Sequence, residues 1–255
     1  SSMQPISVVI ITKNAAHLLA PTLQSVKSLT DDIVVCDTGS NDATIPVAVK
    51  NGATVIEEKW RGHGLTKNIA NEQAVYDWIL QIDADEIVDK ELLDTLLNLD
   101  LSNEKQVFTI RRKNFFKNKL IKHGDWRKDE PFRLFNRNQA MWNEDFVHEK
   151  LLYEDGCVVK KLAGYILHKT VQSTDQYEQK MKSYGSKSGE QYFKAGKKGA
   201  WYKRYLSPWY AFVNSYIFKL GFLDGKEGLQ IAAMTRRYTR LKYQTLYNLQ
   251  KAGKQ

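Results

Sequence analysis

The sequence predicts an α/β protein: a mostly parallel, Rossmann-like sheet with helices on both faces, followed by a C-terminal helical segment. Three observations carry this reading. Short β-branched runs alternate with amphipathic stretches through the first hundred residues or so, the pattern of a parallel sheet threaded by helices. Those runs are apolar throughout, as strands covered on both faces must be. Beyond residue 175 the strand-like runs stop and helical spacing takes over.

Residues 6–11 (ISVVII) read as the first buried strand. Residues 15–29 follow as a helix, with Leu18, Leu19, Leu23, Val26 and Leu29 on one face. Residues 32–37 (DIVVCD) are a second strand. A short helix over 44–51 has Asp42 or Thr44 as its cap and Pro46 in its first turn. Gly52 ends it, and 54–57 form a third strand. Residues 65–76 read as a helix, 78–82 as the fourth strand, and 89–99 (DKELLDTLLNL) as an amphipathic helix that opens on acids. Residues 106–113 and parts of 131–137, 147–153 and 158–166 read as strands of a smaller mixed sheet with charged loops between them. Helices are expected over 175–195, 208–222 and 226–249, the last two separated by a turn at Gly221–Gly225. The division is a body over 1–172 and a helical region over 173–255.

A chain of 255 residues with 42% hydrophobic content is long enough to bury a sizeable core. Cys36 and Cys157 are far apart, which argues against a disulfide framework and for a reducing, cytoplasmic setting. No apolar run reaches the ~18 residues of a membrane span. No secretory signal is visible, and Ser1 and Ser2 ahead of Met3 read as an expression remnant. The net charge of +9 is unevenly spread: residues 1–175 carry −3, whereas residues 176–255 carry +12 and 16 of the 29 aromatic residues. A basic, aromatic segment suits a solvated helical face, an anionic membrane surface or nucleic acid. No recognisable RNA- or DNA-binding motif accompanies it.

The chemistry begins at residues 79–86 (ILQIDADE), a buried strand ending in Asp83, Asp85 and Glu86. An alternating pair leaving a strand end points both carboxylates into one space, where their repulsion favours a divalent cation. Strand one ends in Thr12-Lys13-Asn14, and strand two in Asp37-Thr38-Gly39-Ser40-Asn41-Asp42-Ala43-Thr44. Both loops lie at the carboxyl edge, where open α/β sheets bind ligands. Asp37 is placed to accept hydrogen bonds from a base or ribose, while Ser40, Asp42 and Thr44 have the chemistry to build the turn and cap the next helix. No G-x-G-x-x-G is present, which disfavours a dinucleotide. Lys67, at the start of a helix, has the reach of either a diphosphate ligand or an exposed lysine.

In this order and spacing, ISVVIITKN, the segment 37–44, Lys67-Asn68 and the segment 82–86 resemble family 2 glycosyltransferases of the GT-A fold, over residues 6–170 or so. The resemblance divides the body into a nucleotide-binding half, about 6–100, and an acceptor half, about 101–172. It implies an inverting transfer from a nucleotide sugar that depends on Mg²⁺ or Mn²⁺. Thr12 and Asp37 then hold the base and ribose, with Asn14 among the nucleotide-sugar contacts. Lys67 lies near the diphosphate or base, Asp83 at the ribose or metal, and Asp85 on the metal. Residues 131–136 (PFRLFN), 146–149 (FVHE), 164–168 (GYILH) and 221–228 (GFLDGKEG) are similar to a branch of bacterial envelope enzymes, the lipopolysaccharide-core glucosyltransferases. That likeness implies glucose from UDP-glucose, a lipid-linked saccharide acceptor, and a peripheral position on the inner face of the bacterial inner membrane.

The segment ending at His168 is similar to the later histidine that completes the metal site in many GT-A enzymes, which implies that role for His168; a satisfied core histidine is the competing role. Glu149 is the favoured general base, with Asp145 next and Glu144 a third candidate; the other reading is a salt-bridged loop near Arg133 and Arg137. A strand over 146–152 puts Glu149 and Val147 on one face. The charged loop 111–133, with Trp126 and Phe132, is expected at the acceptor cleft or on a solvated surface. A nucleotidyltransferase sharing this nucleotide edge, and a non-enzymatic basic module, are the alternative functions.

Overall fold

A computed structural model describes residues 2–144 and 149–253. The first hundred residues form β1 (Ile6–Thr12), α1 (Ala16–Val26), β2 (Asp32–Asp37), α2 (Thr44–Lys50), β3 (Thr54–Glu57), α3 (His63–Glu72), β4 (Trp78–Asp83), β5 (Glu86–Val88) and α4 (Lys90–Leu97). Then come β6 (Gln106–Phe116), β7 (Lys119–Ile121), β8 (Phe132–Asn136), β9 (Ala140–Trp142), β10 (Leu151–Tyr153), β11 (Val158–Val171), α5 (Thr174–Lys194), α6 (Lys203–Val213) and α7 (Gly225–Ala252).

Four strands, in the order β3-β2-β1-β4, are parallel. Both faces of β1 are covered, which is why its sequence does not alternate. Ile6, Val8 and Ile10 join the cluster containing Leu19 and Leu23 of α1 and Leu92 and Leu96 of α4. Val9, on the opposite face, packs in a second cluster with Ala70 of α3 and Trp142. The expected helix over 89–99 starts one residue later because Asp89 is its cap: its Oδ1 accepts from the Leu92 N–H at 2.8 Å. Asp42 and Thr44, expected to cap α2, do not: its cap residue is Ala43, with no side-chain bond, and the two side chains reach back to the start of α1 instead. They accept from Ala16 and Ala15 at 3.2 and 2.9 Å.

Most of the middle strands, expected to form a smaller mixed sheet, instead join the parallel strands. Among the described residues nine strands make one sheet, ordered β3-β2-β1-β4-β8-β6-β11-β5, with β7 on β6. Strand β8 pairs antiparallel with β4, placing Trp78 opposite Asn136, and so occupies an edge that would otherwise expose unpaired backbone. Only β9 and β10 stand apart as a two-stranded ribbon. Strand β5, too short to carry a periodic signal, pairs antiparallel with β11 and sets His168 opposite Glu86.

The chain divides into two compact units, residues 1–113 with 129–168, and residues 114–128 with 169–255. The sequence reading drew its boundary at 172 and kept 114–128 with the body. In the second unit Phe116, Ile121, Val171, Tyr177, Ile231 and Met234 form the core. Trp126, expected at an acceptor cleft, packs here against Phe116 and Tyr177, with ring centroids 6.3 and 6.1 Å away. Helix α6 starts at Lys203 rather than Pro208, which is buried inside it. A π-helical turn (Asn214–Phe218) and a 3₁₀ turn (Gly221–Asp224) follow where the sequence suggested a helix continuing to 222.

In the first unit the parallel and antiparallel strands are pinned by one buried carboxylate. Glu86 is fully buried. It accepts from the Asp83 N–H at 2.7 Å, from Arg112 Nη1 on β6 at 3.1 Å and from Arg133 Nη2 on β8 at 3.2 Å. Removing such a carboxylate leaves buried donors and a buried guanidinium without their partner. Glu86→Ala is expected to cost about 3–5 kcal/mol of unfolding free energy in urea titration. Glu86→Gln, which keeps an acceptor for Asp83, is expected to cost less.

Candidate active site

Parallel pairing aligns the carboxyl ends of the central strands. The register sets Thr12 beside Asp37 and Ile11 beside Asp83. Three of the expected residues, Thr12, Asp37 and Asp83, are therefore brought to one edge by the backbone alone.

The first two loops are locked together there. Asn14 adopts a left-handed conformation, φ 51°. Its N–H donates to Ser40 Oγ at 2.8 Å, and its Oδ1 accepts from the Asn41 N–H at 2.7 Å. The buried Asp37 carboxylate accepts from the Gly39 and Ser40 N–H groups, both at 2.9 Å, and from the Ser40 hydroxyl. These bonds use three of the roughly four acceptor positions of a carboxylate, leaving one for a ligand. Thr12 Oγ1 is buried with no hydrogen-bond partner among the described residues. An orphan hydroxyl beside Asp37 is an unmet polar demand at this edge.

Lys67 is buried, and does not lie on an exposed helix face. Its ammonium sits 4.5 Å from the ring centroid of Trp142 and pairs with Glu149 Oε1. The Glu149 side chain keeps 28% exposure, so its carboxylate is paired but reachable. Glu149 precedes β10 rather than lying on a strand. Residues 146–148 of the strand expected over 146–152, Val147 of the Glu149 face among them, and the alternative base Asp145 lie outside the described residues. Glu144 is exposed.

Helix α3 and the segment ending at Trp142 hold this pair in place. Asn68 Nδ2 donates to the Trp142 carbonyl at 2.8 Å, and its Oδ1 accepts from the Trp142 N–H at 2.9 Å. The Trp142 indole donates to Gln81 Oε1 at 3.2 Å. Gly64 permits the approach, since a Cβ there would lie 1.7 Å from the Asn143 carbonyl oxygen. Asn143 and Lys150 close the loop that carries Glu149: Asn143 N–H donates to the Lys150 carbonyl at 2.9 Å, and Lys150 N–H to Asn143 Oδ1 at 2.8 Å. The sequence reading did not single out Trp142; its role arises from pairing across some seventy residues, and no local pattern signals it.

Asp85 and His168 meet at 3.2 Å, His168 Nε2 to Asp85 Oδ2. Asp83 lies on the other side, 3.6 Å from Arg133 Nη2. Crowding by the surrounding protein opposes ionisation of Asp83, although its side chain keeps 42% exposure. Arg133, Lys67 and Arg112 outweigh that effect and hold its carboxyl at about 2. Burial likewise opposes the charge on Arg133, and Glu86 and Asp83 overcome it, keeping the guanidinium above its ordinary range.

Among the described residues no group of three or more His, Cys, Asp or Glu side chains could hold a metal ion. The donor set still fits the expected cation. The Asp85 carboxylate suits Mg²⁺ or Mn²⁺ with most positions left to phosphate and water, and the imidazole beside it is a nitrogen donor better matched to Mn²⁺ than to Mg²⁺.

Comparison with known proteins places these features in a family. The Glycosyl transferase family 2 model matches residues 7–155. The chain is 29% identical over 242 residues to an uncharacterised glycosyltransferase of Rickettsia felis, spanning 89% of this chain and 83% of the relative. It is 27% identical over 249 residues to the lipopolysaccharide core biosynthesis glycosyltransferase LpsC of Rhizobium meliloti, spanning 91% and 90%. Among solved structures, TarS 1-349 of S. aureus is similar at 16% identity with a TM-score of 0.48, over 97% of this chain and 91% of that one. With a family match over more than half its length, the chain belongs to glycosyl transferase family 2 and is a glycosyltransferase of the GT-A fold.

Proposed function

We propose that this enzyme is an inverting, divalent-metal-dependent hexosyltransferase that moves glucose from UDP-glucose to a lipid-linked saccharide of the lipopolysaccharide inner-core type. One observation carries the mechanism: a reachable carboxylate, Glu149, is held against a buried ammonium, Lys67, at the edge where Asp83, Asp85 and His168 gather. The acceptor class is supported by the likeness to LpsC. The nucleotide assignment is supported by the unmet Thr12 hydroxyl and the remaining acceptor position of Asp37.

In this reading Thr12, Asp37 and Asn14 frame the base and ribose, with Asp83 at the ribose or the metal. Asp85 and His168 hold Mg²⁺ or Mn²⁺, which when bound neutralises the leaving diphosphate as a Lewis acid. The acceptor hydroxyl oxygen forms the new bond to the anomeric carbon on the face opposite the nucleotide. The bond from that carbon to the diphosphate oxygen breaks, and the electron pair leaves with the nucleoside diphosphate. Glu149 takes the hydroxyl proton as the bond forms. In the free enzyme Lys67 neutralises Glu149. A diphosphate competes for Lys67, and as the ammonium turns to it Glu149 becomes free to accept the proton. The lipid-linked acceptor would be met at an anionic membrane surface, as for a peripheral enzyme of the inner face.

Asp85→Ala is expected to lower turnover by at least about 100-fold. Full activity in that variant, or activity surviving complete chelation of divalent ions, would sink the metal-dependent mechanism. Glu149→Gln is expected to lower kcat by about 10²–10⁴-fold while donor binding is no weaker, since the carboxylate that competes for Lys67 is gone. Unchanged kcat there would move the base to Asp145.

A different split is expected at Lys67. Lys67→Ala should weaken binding of UDP in calorimetric titration, whereas UMP, which lacks the second phosphate, should bind both proteins alike. Equal loss for UDP and UMP would contradict the diphosphate role. UDP with Mn²⁺ should raise the melting temperature, by the equivalent of about 2.7 kcal/mol at 100-fold excess over Kd.

A further inference from the structure

The second unit displays apolar residues in a way that its core does not require. Tyr177, Ile231 and Met234 are buried together. Along α6 and the two turns after it the pattern reverses: Trp209 is 54% exposed, Tyr210 68%, Phe218 69% and Leu223 55%, with Leu206 and Ile217 also exposed. From Lys203 to Phe218 only Pro208 and Ser215 are buried. Large apolar side chains left in water along one stretch of chain mark an interaction surface.

The backbone beneath this surface is fixed. The buried Asp224 carboxylate accepts from the Lys122 and His123 N–H groups at 3.1 and 2.8 Å, while Lys119 Nζ donates to the Asp224 carbonyl at 2.7 Å. Gly228 lets the Gly221 carbonyl approach so closely that a Cβ would lie 1.9 Å from its oxygen. Between the two turns Leu220 is held at φ 61°, a conformation a leucine rarely adopts, with its side chain exposed. The segment 221–228 therefore has a polar, hydrogen-bonded interior and an apolar exterior.

We infer that α6 and the turns through Asp224 form a wedge that inserts into the headgroup region of an anionic lipid bilayer. The chemistry selects lipid over a protein partner. Helix α6 begins Lys203-Arg204 and contains no acid. Arg236 lies 3.8 Å from the ring centroid of Trp209, and Arg204 4.8 Å from that of Tyr205, so cations ride beside exposed aromatic rings. Tryptophan and tyrosine with arginine suit the headgroup level, and apolar Leu and Phe the acyl boundary. Among the described residues no helix is long and apolar enough to cross a membrane, so this surface lies on the bilayer. The inference deepens, and rests on, the proposed lipid-linked acceptor.

The test is co-sedimentation of the full chain with phosphatidylglycerol/phosphatidylethanolamine vesicles and with neutral phosphatidylcholine vesicles, read alongside tryptophan emission. Binding to the anionic vesicles with a blue-shifted emission is expected. The triple variant Leu206→Ser, Phe218→Ser, Leu223→Ser removes exposed side chains, so its melting temperature and its acceptor-free hydrolysis of UDP-glucose should match the parent. Its vesicle binding should fall at least about tenfold. Absent vesicle binding by the parent, undiminished binding by the variant, or a solution dimer that the variant splits without any vesicle binding overturns the inference. Loss of UDP-glucose hydrolysis in the parent, with vesicle binding intact, would count against the proposed activity alone.

Discussion

The site depends on one buried carboxylate. Glu86 closes the turn after β4 by accepting from the Asp83 N–H, and the same side chain receives Arg112 from β6 and Arg133 from β8. Burial of an isolated carboxylate is prohibitive, so the two arginines are drawn to it, and the parallel and antiparallel strands are joined at the strand end that carries the chemistry. Arg133 then lies beside Asp83 and keeps it ionised. The middle residue of the triplet, Asp85, is left to face His168. One position thus sets the surroundings of its two acidic neighbours.

A second constraint positions the proposed base. Asn68 grips the Trp142 peptide from both sides, and Gly64 removes the Cβ that would keep α3 away. The Trp142 ring lies under the Lys67 ammonium. A lysine desolvated on an aromatic face still needs an anion, and Glu149 supplies it. The loop that carries Glu149 is closed at its ends by the paired Asn143 and Lys150. The backbone beneath acid and ammonium is thus set by these bonds, while the two side chains remain able to part.

What was legible in the sequence follows from this division. The parallel strands could be read because both faces are buried, and β-branched runs such as ISVVII leave few other structures open. The order of Thr12, Asp37, Lys67 and Asp83-Asp85 could be read because strand ends in α/β sheets are also ligand edges. Contacts made across the sheet could not. Strand β5 has three residues and acquires its identity only by pairing with β11. Arg112 and Arg133 sat among nine cations in one charged stretch, and nothing in their neighbours marked these two as bound for Glu86. Trp126 had the composition of a sugar-stacking residue and is instead a packing partner of Tyr177. Leu220 shows the same limit in the backbone, since a left-handed leucine is imposed by the bonds around Asp224 rather than by its own preference.

The electrostatics of the cleft bear on how a donor enters. Asp83, Glu86, Asp129 and Glu149 face the cations Lys67, Arg112 and Arg133, and Asp85 faces His168. Each of those cations already has a carboxylate partner. A diphosphate arriving alone would have to displace Glu149 from Lys67 and approach the carboxylates Asp83 and Asp85, which disfavours it. A divalent cation carried by the diphosphate reverses the sign of that encounter. As the proposed metal ligands, Asp85 and His168 would be too few to form a permanent cage, and phosphate oxygens would supply the rest. On the proposed mechanism the same arrival turns Lys67 away from Glu149. Loading the donor and freeing the base then become one event, and the carboxylate that accepts a proton is uncovered only when there is a sugar to transfer.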